Sequence, residues 1–230
     1  MIFDVLTIFP EYFESPLEAS LLGRAREGGL VEVRVHDIRE HATPPHRKVD
    51  DEPYGGGAGM VMMAPVVAAA IEAARSLPGE PARTILLTPA GERFDHALAA
   101  EISAWPRTIL VCGRYEGIDE RVAEAGLYDR EVSLGDFVTS GGEVAALAII
   151  EAAARLIPGF VKELESVEND SFFRGDLDFP HYTRPREWRG LSVPDILVSG
   201  HHAGIQKWRR EQAAERTRCR RPDLSGRKAR

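Results

Sequence analysis

Residues 108–122 read TILVCGRYEGIDERV: a β-branched, apolar run that stops at Gly113, crosses a glycine-bearing loop and resumes with helical composition. β-Branched residues fit a pleated, half-buried surface, and glycine lets the chain turn where the strand ends. Two further stretches share the plan, LLTPAGERF at 86–94 and VSLGDFVTSGGE at 132–143. In parallel α/β sheets ligands bind outside the carboxyl ends of strands. Three such loops side by side make a pocket rich in backbone N–H and C=O groups. No lysine serves it, which suits a neutral heterocycle and ribose better than a triphosphate.

The same alternation runs through the first 157 residues. Strands are expected at 2–9, 31–38, 83–88, 108–113 and 130–134, and helices near 16–27, 64–76, 94–104, 118–125 and 143–157. Pro65 suits a first helical turn, where its missing N–H is not needed. The stretch AALAIIEAAARLI is apolar on most faces and is expected to be buried. The order strand–helix–strand argues for an α/β domain with a mainly parallel sheet. From residue 158 the periodicity fades into PGFVKELESVENDSFFRGDLDFPHYTRPREWRG, read as a linker or a lid over a site. A short helix, a break at Gly200 and a longer basic helix follow.

Bulk properties narrow the class. The chain has 230 residues, 43% hydrophobic and 28% charged, enough to bury a sizeable core. No apolar run approaches the roughly 20 residues of a membrane span. MIFDVLTIFP has neither a basic n-region nor a small-residue cleavage site, so it reads as a buried strand rather than a signal peptide. Cys112 and Cys219 read as unpaired thiols in a reducing cytoplasm. The net charge of −7 conceals an asymmetry: residues 207–230 carry ten basic and three acidic side chains, leaving +7 there and −14 on residues 1–206. A basic tail on an acidic body is a footprint for nucleic acid or a solvated helix end.

The densest glycine cluster lies in VDDEPYGGGAGMVM at 49–62. A phosphate loop needs a lysine and a hydroxyl after its glycines, but Met60, Val61 and Met62 follow Gly59. Asp50, Asp51 and Glu52 point in different directions and read as a solvated turn rather than a Mg²⁺ site. His36, His41 and His46 lack the tight pairing of zinc ligands, so no metal site is expected. Cys112 reads as an inert core thiol. Asp170 and Arg155 are, by themselves, one acid among several and an arginine near a helix end.

The strings PYGGGAGMVM, LLTPAG, CGRYEGIDERV, SLGDFVTSGGE, RLIPG, ENDSF and DFPHYTRP, in this order, closely resemble the bacterial tRNA (guanine-N(1)-)-methyltransferase family of the SPOUT superfamily. The similarity covers essentially the whole chain. It implies methyl transfer from S-adenosylmethionine to N1 of the guanosine at position 37 of tRNA, 3′ of the anticodon. It also implies a cytoplasmic homodimer with sites shared between subunits. The implied fold is an α/β parallel sheet with a deep trefoil knot over 1–160. A linker or lid over 161–175 and a small all-helical, tRNA-binding domain with the basic tail over 176–230 complete it. The sheet pattern alone gives an ordinary doubly wound fold, because knots are nearly absent among folds.

By motif position the resemblance assigns the cofactor to Thr88, Pro89, Gly91, Gly113, Tyr115, Glu116, Gly117, Ser133, Leu134, Gly135, Phe137, Thr139, Gly141 and Gly142. It assigns the general base to Asp170 and charge stabilisation to Arg155. Tyr54, Gly55 and Gly59 are expected beside the target base, and Lys207, Arg209 and Arg210, with Arg218, Arg220 and Arg221, on tRNA phosphates. The sequence leaves open whether Mg²⁺ takes part and which tRNAs are used. Val144 and Ala145 stand where related sequences usually carry Leu-Pro, removing a proline that would pre-set the next helix.

Overall fold

A computed structural model describes residues 1–224; residues 225–230, the end of the expected basic tail, lie outside the described residues. The chain divides into two compact units, the first Met1–Lys162 and the second beginning at Glu163.

The first unit runs β1 (Ile2–Thr7), α1 (Glu14–Glu18), α2 (Ser20–Glu27), β2 (Glu32–Asp37), β3 (Asp50–Asp51), β4 (Val61–Met62), α3 (Ala64–Ser76), β5 (Arg83–Arg93), α4 (His96–Ser103), β6 (Arg107–Cys112), α5 (Arg121–Glu124), β7 (Arg130–Ser133) and α6 (Glu143–Arg155). Five strands form one parallel sheet in the order β2-β1-β6-β5-β7. Because side chains alternate across a strand, each face of the sheet builds its own core. Phe3, Val5, Leu110 and Cys112 pack with Leu98, Ile102 and the alanine- and isoleucine-rich face of α6. Leu6, Ile109 and Val111 pack with Val67, Ile71 and Val122 on the other side. All six residues of β6 are buried, as a central strand covered on both faces requires.

Three expected elements are corrected. The helix expected at 16–27 is two, because Ala19 is extended (ψ 144) and Gly23 packs so close to the Glu18 carbonyl that a Cβ there would lie 2.2 Å from its oxygen. The strand expected to end at Thr88 continues to Arg93 through an irregularity between Leu87 and Glu92, both of which pair with Val132. The helix expected at 118–125 shrinks to α5, since Ile118 bridges Met62 instead. By contrast α3 spans Ala64–Ser76 with a proline in its first turn, as read.

The second unit holds α7 (Leu164–Glu168), β8 (Glu187–Trp188), β9 (Leu191–Ser192), α8 (Asp195–Val198) and α9 (His202–Arg220). It is not all-helical. β8 and β9 form an antiparallel ribbon whose two turn residues, Arg189 and Gly190, have φ of 51 and 75, the signs a tight hairpin turn needs. The aperiodic stretch before the ribbon is held by α9: Leu177 N donates to Thr217 Oγ1 at 2.9 Å and Arg216 Nη1 to the Asp178 carbonyl at 3.1 Å. His201 caps α9, its Nδ1 accepting from Gly204 N at 3.1 Å.

Candidate active site

Every strand of a parallel sheet delivers its loop to the same edge, and here β5, β6 and β7 are neighbours. Their three loops wall a cavity of about 470 Å³, within the range of small-molecule sites. The first wall is the protrusion 88–91 on β5, where Thr88 Oγ1 accepts from Ala90 N at 3.3 Å. The second is 113–120, which turns through Tyr115 and Gly117 at φ of 58 and 132. The third is 133–142, stitched by Thr139 Oγ1 donating to the Gly141 carbonyl at 2.8 Å and by reciprocal Ser133–Gly135 bonds. Gly142 N donates to the Gly113 carbonyl at 2.9 Å, joining the second and third walls.

The glycine cluster is tied to this site by its base. β3 and β4 pair as a ribbon, and β4 is bonded to the second wall: Glu116 N donates to the Met60 carbonyl at 3.0 Å, Met62 N to Gly117 at 2.9 Å and Asp119 N to Met62 at 3.0 Å. Gly55, Gly56 and Gly57 all have positive φ with open space where a Cβ would stand, so they serve the turn itself. Gly59 differs: its Cβ would lie 2.2 Å from Glu116 Oε1. Tyr54 at the tip is 99% exposed.

Electrostatics follow these contacts. Burial raises the Tyr115 hydroxyl, and the Asp50 carboxylate beside it adds to the effect. Bidentate bonds from Arg121 lower Asp119 to about 2. Burial, a hydrogen bond and the charge of Glu131 hold the Tyr128 hydroxyl up. Burial pushes the Cys112 thiol well above its ordinary value, so it is a poor nucleophile.

Of the residues assigned to the cofactor, Thr88, Pro89, Gly113, Tyr115, Glu116, Gly117, Ser133, Leu134, Phe137, Thr139, Gly141 and Gly142 line the cavity. Gly91 and Gly135 do not; Gly91 instead packs on the backbone of Glu131 and Val132, where a Cβ would come within 2.4 Å. α6 begins at Glu143 without a proline, since Ala146 N bonds the Gly142 carbonyl at 2.9 Å. Arg155 is not brought to the cavity. It ends α6, about 18 Å along the axis from Glu143 at 1.5 Å per residue.

Asp170 belongs to the second unit, in the turn after α7, where its N donates to the Val167 carbonyl at 3.1 Å. Lys207, Arg209 and Arg210 lie on α9. Lys207 pairs with Glu211 at 3.8 Å and the Arg209 guanidinium lies 4.6 Å over the Phe179 ring, while Arg210 is exposed.

Sequence reasoning missed Arg114, which lines the cavity, and Glu143, its ion-pair partner at 3.0 Å. The acid in GGE directly after a glycine pair was the available signal. Among the described residues no group of three or more His, Cys, Asp or Glu is placed to hold a metal ion, and no helix is long and apolar enough to cross a membrane.

Comparison with known proteins adds a whole-chain match. The family model described as "tRNA (Guanine-1)-methyltransferase TrmD" matches residues 1–227. A "tRNA (guanine-N(1)-)-methyltransferase" of Chloroflexus aggregans is 53% identical, covering 100% of this chain and 89% of its own. Proteins of the same name from Geobacter sulfurreducens and Deinococcus radiodurans are 53% and 51% identical over 97% and 96% of this chain, and over 91% and 79% of theirs.

Proposed function

The chain belongs to the tRNA (guanine-1)-methyltransferase family, and from that membership we propose that it methylates N1 of guanosine 37 of tRNA with S-adenosylmethionine as donor. The observation that carries the donor assignment is the cavity of about 470 Å³ walled by three glycine-bearing loops at adjacent strand ends. Its wall offers backbone donors and acceptors, small residues and the exposed Phe137 ring, and no lysine, which fits a nucleoside with a sulfonium side chain. When bound there, S-adenosylmethionine supplies an electrophilic methyl group.

The chain's own residues handle the guanine. Its N1 carries a proton at neutral pH, so attack needs a base, and we assign that role to the Asp170 carboxylate. Arg155 stabilises the negative charge that develops towards O6. Because Arg155 lies at the far end of α6 from the cavity of its own chain, we assign a homodimer in which one subunit serves the other's site. Exposed apolar groups around the cavity, Phe137 at 58%, Val138 at 81% and Val144 at 43%, support a protein partner there. The knotted topology, the tRNA-binding role of the second unit and a cytoplasmic location complete the proposal by family resemblance. The glycine loop 55–59, with Tyr54, is assigned to the target base.

Incubating tRNA transcripts with labelled S-adenosylmethionine tests the reading, with label expected at N1 of guanosine 37. Label at another base, or tight tRNA binding with no label, overturns it. Asp170→Ala is expected to lose methyl transfer with donor affinity kept within a few-fold; wild-type turnover would remove Asp170 from the role of base. Mixing Asp170→Ala with a cavity mutant is expected to restore some activity through hybrid dimers. No restoration despite demonstrated subunit exchange argues against sharing.

A further inference from the structure

Where the second and third cavity walls meet, Arg114, which lines the cavity, joins a charged cluster with Glu143 and Thr7. Glu143, the first residue of α6, is 1% exposed. Its Oε1 accepts from Thr7 Oγ1 at 2.7 Å and from Arg114 Nε at 3.1 Å, and Arg114 Nη2 stands 3.0 Å from Oε2. Among the described residues no donor is aligned on Oε2 for a hydrogen bond, so that oxygen is held by the charge of Arg114. Arg114 Nη1 donates to the Ser140 carbonyl at 3.3 Å, and the guanidinium lies 4.4 Å over the Phe9 ring. Thr7 Oγ1 in turn accepts from Phe9 N at 2.9 Å.

Of the two neighbouring glycines that line the cavity, Gly141 is fitted to this cluster. A Cβ on Gly141 would lie 2.1 Å from Arg114 Nε and 2.5 Å from Glu143 Oε2. One on Gly142 would lie 2.8 Å from the Cα of Cys112. No side chain fits at Gly141 while the ion pair stands, and at Gly142 the backbone of Cys112 and the Leu87 side chain leave no room for one. The pair also spans the junction where Arg114 and Gly141 form a backbone bridge and Gly142 bonds Gly113.

We propose that Glu143 is a positioning residue for the donor pocket: it holds Arg114 and Thr7 so that wall 113–120 is clamped to wall 133–142 and the cavity stands ready before the ligand arrives. A buried ion pair gives little net stability over a well-packed apolar substitute, but it fixes orientation through the forked guanidinium. A preformed pocket spares the ligand the ordering cost of two loops. The proposal rests on the reading that this cavity takes S-adenosylmethionine.

Glu143→Gln keeps the shape and removes the charge, and Thr7→Val removes one donor without stranding the arginine. Three readouts are taken on each full-length variant: S-adenosylmethionine affinity by calorimetry, unliganded melting temperature, and hydrogen exchange of the Gly142 amide. Affinity is expected to fall about tenfold in Glu143→Gln and about threefold in Thr7→Val. Turnover at saturating donor is expected to stay within about threefold, with faster Gly142 exchange in both. Affinity within about twofold of wild type in both variants overturns the proposal, whatever the melting temperatures do. Failure of the wild-type protein itself to bind the donor overturns the cofactor reading instead. The clamp is then judged on Gly142 exchange, where unchanged protection in both variants overturns it.

Discussion

Asp4 and Arg107 put two charges where the sheet is driest. Arg107 is 1% exposed; its Nε donates to Asp4 Oδ2 at 2.7 Å, and its Nη1 and Nη2 donate to the carbonyls of Leu77 and Ala74 at 3.1 and 2.6 Å, closing the end of α3. Burial alone would raise the Asp4 carboxyl; the bonds and charges of His36 and Arg107 outweigh it and hold the group below its ordinary 3.8. A depressed folded pKa means stability that is fully present above 3.8 and lost as pH falls through the lower folded value. Urea unfolding is therefore expected to show Asp4→Asn about 3–5 kcal/mol less stable at pH 7, since it leaves Arg107 buried and unpaired. The stability of that variant is also expected to fall less on acidification below pH 4 than the wild type's. A second residue-scale outcome concerns the thiols. Cys112 is fully buried and Cys219 exposed, so native alkylation is expected to modify Cys219 alone, with Cys112 reacting only after denaturation, as read by mass spectrometry.

At the scale of elements, Gly91 separates packing from conformation. Its Cβ would stand 2.4 Å from the carbonyl carbon of Glu131 and the nitrogen of Val132, both backbone, so only movement of β5 against β7 relieves the clash. Gly91→Ala is expected to cost about 1–3 kcal/mol or more and to widen the cavity mouth, seen as a lowered melting temperature and weaker donor binding. Gly56→Ala meets open space and bears only the penalty of its positive φ, about 1–2 kcal/mol. These elements also show what a single sequence makes legible. The five sheet strands and α3 stood out because apolar periodicity and a first-turn proline are local signals. The protrusion at 88–91 did not, since TPAG reads as any strand-ending turn and only pairing with β7 reveals the strand beyond it. The β8–β9 ribbon was missed because its turn opens on Arg189, which carries no turn preference. The Arg114–Glu143 pair is 29 residues apart, beyond any local pattern.

For the whole molecule, the uneven charge is the quantity that bears on tRNA. Part of the basic surface is already neutralised from within: Arg218 pairs with Glu215 at 2.6 Å and Arg221 with Asp223 at 2.7 Å. Exposed Arg210 is therefore expected to count for more than either. Arg210→Ala is expected to weaken tRNA binding uniformly across tRNAs and to lower the slope of log affinity against log salt by about 1. Arg218→Ala is expected to change the slope less, because Glu215 competes with phosphate for it. Filter binding across a salt series reads both. The sheet order also shapes how the chain folds during synthesis. β1 lies between β2 and β6, so a strand synthesised before both of its neighbours takes an inner place in the finished sheet. Its β2 edge is covered within some thirty residues, but the other edge waits for Arg107–Cys112, about a hundred residues on. At ~5–20 residues per second that is about 5–20 s during which a nascent chain holds IFDVLT with an open edge, the interval in which a chaperone has most to protect.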